Sequence, residues 1–133
     1  LKSDKILDFS NRLEGYLSGK SIEKRFNEQF NESISAKEIF SRYRKKDSNS
    51  ILFINEYKDI LARCLVLIVT TLDPDAIVFG GGISNEIDFL DQIKKKTSSF
   101  INEPNLKTVF LKPKYGDASG VRGAAILSRQ SSI

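Results

Sequence analysis

Three consecutive glycines, Gly80, Gly81 and Gly82, follow the apolar run Ala76, Ile77, Val78 and Phe79 and precede Ser84 and Asn85. Glycine lets the backbone take positive φ and brings main-chain N–H groups close to a ligand. Ser84 or Asn85 can cap a following helix, whose free N–H groups attract an anion or a polar group. This order of strand, glycines and helix start describes a nucleotide-facing loop. A glycine-rich turn with no ligand is an equally available reading of these residues alone. Other chemistry is sparse. The chain has no histidine, which excludes His-based acid–base catalysis and His-metal chemistry. Its one cysteine, Cys64, can form no internal disulfide and no zinc site, and its place in an apolar helical pattern reads as a buried structural thiol. Any reaction must therefore rest on carboxylates, backbone amides and a ligand's own phosphates.

The frame around these residues is that of an ordinary globular chain. At 133 residues it suits one domain able to bury a core without staples. A hydrophobic fraction of 40% beside 29% charged residues excludes a disordered chain, and no apolar run approaches the ~20 residues that span a bilayer. The net charge of +4 comes from 21 basic and 17 acidic residues, mostly interspersed. The basic runs at 42–46 and 94–96 are short and not interleaved with stacking aromatics in the way single-strand binders require, so they read as solvated helix faces; nucleic acid and membrane are not expected partners. No signal-peptide core opens the chain, which points to the cytoplasm. The sequence contains no Met, and Leu1 is expected not to be the natural start of the gene product.

Helices are expected to dominate residues 1–72. Leu13, Tyr16 and Leu17 have helical spacing before a break at Ser18 and Gly19, and Ile22, Phe26 and Phe30 repeat every fourth residue after it. Ser35 and Glu38 form a reciprocal capping box that opens a helix carrying Ile39, Phe40 and Tyr43. After a polar break at 45–50 the longest periodic stretch runs through Ile54, Tyr57, Leu61, Leu65 and Ile68 to Leu72. It stops at Asp73 and Pro74. Its second half is apolar nearly all round, so it is expected to be the central buried helix. Strand, helix, strand and helix then fill 73–130: a strand at 76–79, a helix at 85–100 burying Ile87, Leu90 and Ile93, a strand at 108–111 ended by Pro113, and a small-residue helix following Gly116. The strand–helix–strand spacing predicts two parallel strands with a right-handed crossover. Two strands make a thin sheet for an α/β domain, because a parallel sheet needs both faces covered.

Three segments in order carry a resemblance. They are Leu13-Glu14-Gly15-Tyr16-Leu17-Ser18-Gly19; Leu72-Asp73-Pro74-Asp75 leading to Gly80-Gly81-Gly82-Ile83-Ser84-Asn85; and Gly116-Asp117-Ala118-Ser119-Gly120-Val121-Arg122-Gly123-Ala124-Ala125. Together they resemble the C-terminal half of the ROK family of sugar kinases and sugar-responsive repressors. The resemblance implies an α/β fold, the C-terminal lobe of an actin-like and hexokinase-like (ribonuclease H-like) architecture, helix-rich with a small parallel strand pair; the chain is then a single partial domain. It implies ATP-dependent phosphorylation of a hexose or N-acetylhexosamine, with ATP and Mg2+ as cofactors. By the family pattern Gly80, Gly81, Gly82, Ser84 and Asn85 line the adenosine side of the ATP pocket. Glu14 matches the glutamate that accepts hydrogen bonds from sugar hydroxyls, a role open to a carboxylate because it offers only acceptors; a plain exposed glutamate at a helix start remains the alternative. Asp117 and Arg122 read as loop and helix scaffolding.

Departures from the pattern limit what this chain can do. The place of the family's cysteine-rich zinc motif is taken by Asp8-Phe9-Ser10-Asn11-Arg12, so zinc is not expected. The phosphate-gripping hairpin and the aspartate that serves as general base belong to the family's N-terminal half, and no residue here is a credible substitute for that base. The expectation is a kinase half without its catalytic centre, partnered by the N-terminal half and by a second copy in a homodimer. A fragment of a sugar-sensing transcriptional regulator and a non-catalytic dimerisation module are the competing readings.

Overall fold

A computed structural model of the chain describes residues 14–115. The third motif, with Asp117, Arg122 and the small-residue helix, lies outside those residues, as do Leu13 and the segment in place of the zinc motif. The chain gathers into two compact units, 1–61 and 62–133, with helix α4 contributing its first part to one and its last part to the other.

In the first unit, α1 (Glu14–Leu17) and α2 (Gly19–Phe30) meet at Ser18, whose side chain accepts from the Ser21 amide at 3.2 Å and so occupies an orphan donor of the new helix. Helix α2 ends where Asn31 adopts the left-handed conformation (φ 52°), tolerated best by Gly and Asn. Its apolar stripe places Ile22 and Phe26 in the core, with the Phe26 ring edge-on to Phe53 at 5.3 Å. Ser35 caps α3 (Ala36–Arg44) by accepting from the Glu38 amide at 3.2 Å. The expected capping box is only half made. Glu38 turns outward to accept from Arg42 Nε at 3.2 Å, one helical turn on, where a full charge is a stronger partner than a backbone amide. Helix α4 (Ser48–Leu72) begins inside the expected polar break, because Asp47 caps it: the Asp47 carboxylate accepts from the Ser50 amide and hydroxyl, both at 2.9 Å.

In the second unit α4 stops as the sequence requires. Asp73 turns left-handed (φ 43°) and Pro74 follows, with no N–H to continue the helix. Strands β1 (Ala76–Val78) and β2 (Val109–Leu111) run parallel in the register Ala76 to Val109, Ile77 to Phe110 and Val78 to Leu111. Helix α5 (Leu90–Phe100) provides the crossover and buries Ile93 and Thr97. The buried Thr108 hydroxyl donates to the Pro74 carbonyl at 2.9 Å and ties the amino ends of the two strands together. The expected fold class, α/β and helix-rich with a small parallel strand pair, is the one found.

Two expectations need correction. The last turns of α4 are not buried all round: Leu67 is 52% exposed, Ile68 38% and Leu72 70%, while Cys64, Leu65 and Val69 face the core. Only one stripe of that helix finds packing partners among the described residues, so its apolar composition exceeds what they bury. Nor does α5 begin at residue 85. It begins at Leu90, with Phe89 at the cap position and no side-chain cap, because 82–86 form a separate turn before it. Ile87 is still buried, but from the connecting segment and not from the helix.

Candidate functional site

The glycines stand where β1 ends. Pairing with β2 continues one residue past the strand, Phe79 N–H donating to the Leu111 carbonyl at 2.9 Å, and the chain then opens into Gly80, Gly81 and Gly82, all exposed. The turn is closed from within. The Ser84 amide donates to the Gly81 carbonyl at 3.0 Å, the Ser84 hydroxyl donates to the same oxygen at 2.7 Å, and the Glu86 amide donates to the Ile83 carbonyl at 2.9 Å. Ser84 is 1% exposed, so its hydroxyl shapes the turn from beneath, while Asn85 is exposed at its far side. Neither caps the following helix; the Ser84 hydroxyl, bonded to the Gly81 carbonyl and six residues before α5 begins, cannot reach that helix's amides.

The three glycines are not alike. Gly81 has φ +89°, a conformation that an L side chain resists. Gly80 and Gly82 have no such constraint, and a Cβ built on either meets nothing within 4 Å. Packing among the described residues therefore gives no reason for glycine at 80 and 82. No Cβ stands over the main chain at 80–82, and the turn there opens to solvent. The position also obeys the rule for parallel α/β sheets, in which ligands lie beyond the carboxyl ends of the strands. Lys112 and Lys114 follow β2 at the same end, two exposed cations that motif reading passed over. Their signal was present in the sequence, as basic residues directly after a strand that pairs with the glycine-bearing one.

A concavity lies at the opposite end of the strands. A cavity of about 760 Å³ is lined by Thr70, Asp73, Asp75, Glu103, Lys107 and Thr108 among others, at the amino ends of β1 and β2. It touches none of the glycines. Glu14, the other expected contact, opens α1 in the first unit. Among the described residues no cluster of three or more His, Cys, Asp or Glu side chains is placed to hold a metal, and no helix is long and apolar enough to cross a membrane.

Comparison with known proteins gives this arrangement its context. The model of the ROK family matches residues 10–131, and the chain belongs to that family. The N-acetyl-D-glucosamine kinase of Erwinia tasmaniensis is 36% identical over 115 residues, covering 86% of this chain and 38% of that protein. The enzyme of the same name from Mannheimia succiniciproducens is 37% identical over 115 residues, with the same coverage. A crystal structure of a ROK family glucokinase from Streptomyces griseus, in complex with glucose and AMPPNP, superposes with a TM-score of 0.74 at 25% identity, covering 88% of this chain and 44% of that one. The chain thus spans well under half the length of these relatives.

Proposed function

We propose that this chain is the nucleotide-side part of an ATP-dependent sugar kinase acting in the cytoplasm on a hexose or N-acetylhexosamine. The observation that carries the reading is the open turn at residues 80–82, where neither the backbone nor packing among the described residues explains glycine at two positions of three. ATP supplies the transferable phosphoryl group, with Mg2+ as its counter-ion. The chain's part is positioning, which is most of what phosphoryl transfer asks of a protein. Main-chain amides of Gly80, Gly81 and Gly82 lie against the adenosine side, Ser84 holds the turn in shape, and Asn85 offers its amide side chain at the rim. In the first unit, Glu14 accepts hydrogen bonds from sugar hydroxyls. Relatives at 36% and 37% identity named N-acetyl-D-glucosamine kinases support a sugar substrate. No histidine is present and no carboxylate is credible as general base, so deprotonation of the attacking hydroxyl falls to the N-terminal half of the kinase, and the active species is a homodimer of the completed enzyme.

The test is reconstitution. The chain alone is expected to bind ADP, with the amides of 80–85 protected, and to phosphorylate neither glucose nor N-acetylglucosamine; adding the complementary N-terminal half restores turnover. Robust phosphorylation by the chain alone, or absence of nucleotide binding with and without that half, would overturn the reading.

A further inference from the structure

Arg25 lies on α2 in the first unit and belongs to none of the three motifs. Its guanidinium sits 5.3 Å from the centroid of the Tyr16 ring and 5.3 Å from that of Phe53. Nη1 donates to the Tyr16 carbonyl at 3.3 Å and Nη2 to Glu56 Oε1 at 3.4 Å, and the side chain is 21% exposed. One planar group therefore joins three elements: the carbonyl and ring of α1, its own helix α2, and the Phe53 and Glu56 positions of α4.

Helix α1 needs such a tie. It has four residues, far short of the ~12–15 at which a helix begins to persist in water, and its last carbonyls have no partner within so short a helix. Arg25 satisfies one of them and covers the adjacent ring. Glu14 is the first residue of that same turn. We propose that Arg25 is a positioning residue for Glu14: by holding Tyr16 through its carbonyl and its ring, it sets where α1 presents the carboxylate to a sugar hydroxyl. The inference rests on the sugar-contact reading of Glu14. Arginine is required because two donors must point at once to a carbonyl and a carboxylate while the plane lies against aromatic rings; lysine keeps the charge and loses the fork. Loss of the tie leaves α2 and α4 packed through Phe26 and Phe53 but frees α1.

Two measurements test this. In the chain itself, Arg25→Met is expected to lower backbone NMR order parameters at Glu14–Leu17 from about 0.85 to below about 0.6, leaving α3 unchanged. In the complex with the complementary N-terminal half, the same variant is expected to raise the sugar KM ~10-fold with the ATP KM unchanged, and to add little to Glu14→Gln in the double variant. Should Arg25→Met fail to fold, Arg25→Lys gives the same pattern at smaller amplitude. Unchanged order at α1, or equal effects on both KM values, overturns the positioning role. If Glu14→Gln raises the sugar KM and Arg25→Met does not, the positioning role alone fails. If Glu14→Gln leaves the sugar KM unmoved, the sugar-contact reading fails and this inference falls with it.

Discussion

Room for a methyl group at Gly80 and Gly82, against a left-handed backbone at Gly81, separates what the turn needs from what a ligand needs. Gly81→Ala is expected to cost ~1 kcal/mol or more of stability, because the new side chain must sit at φ +89°. Gly80→Ala and Gly82→Ala should stay within about 0.5 kcal/mol of the parent in urea melts while weakening ADP in a calorimetric titration. If both bind ADP like the parent, those two glycines have no part in a nucleotide site. A second residue, Asp47, contributes to acid stability. The Ser50 amide, then the Ser50 hydroxyl, holds the Asp47 carboxyl below its ordinary value. A depressed folded-state value stabilises the fold at pH above the unfolded carboxyl's, about 3.9, and that stability is lost as pH falls through the folded value. The melting temperature should therefore drop on acidification below about pH 4, and Asp47→Asn should flatten part of that drop. An identical acid profile for parent and variant would contradict the cap's role.

Helix α4 shows at the scale of an element where sequence and structure part. Ile54 is fully buried and Leu72 is 70% exposed, although both lie on one apolar pattern. Ile54→Ala is expected to cost about 2–5 kcal/mol, the usual range for emptying a packed site, and Leu72→Ser within about 0.5 kcal/mol, both read from chemical denaturation. Comparable losses would mean that the exposed stripe is packed in solution. Periodicity could identify the helix, but it could not say how much of its apolar surface this chain would cover, since that depends on what else is present. Caps were legible where one side chain and one amide suffice, as at Ser18 and Ser35. They were misread where two partners competed: Glu38 prefers Arg42 to the backbone, and the Ser84 hydroxyl prefers the Gly81 carbonyl to a helix six residues away. The strand–helix–strand order and the parallel pairing followed from hydrophobic runs and the length between them. Arg25 escaped notice because its partners, Tyr16, Phe53 and Glu56, are brought to it only by the packing of three helices.

At the scale of the whole molecule, the two parallel strands among the described residues leave Val78, Val109 and Leu111 each more than two-fifths exposed, and the chain aligns to only 38% of the Erwinia tasmaniensis kinase. Under the proposed function this chain binds nucleotide without turning over, which makes binding and its location the central claim. The two ends of the strand pair offer distinct places: the glycine turn at the carboxyl end, and the cavity lined by Asp73, Asp75 and Lys107 at the amino end. The most direct measurement is an NMR titration of the chain with AMPPNP. Saturable shifts centred on the amides of 80–85, with those of 73–75 and 107–108 unmoved, are the predicted result; shifts confined to the amino-end cavity, or none at millimolar nucleotide, would contradict it.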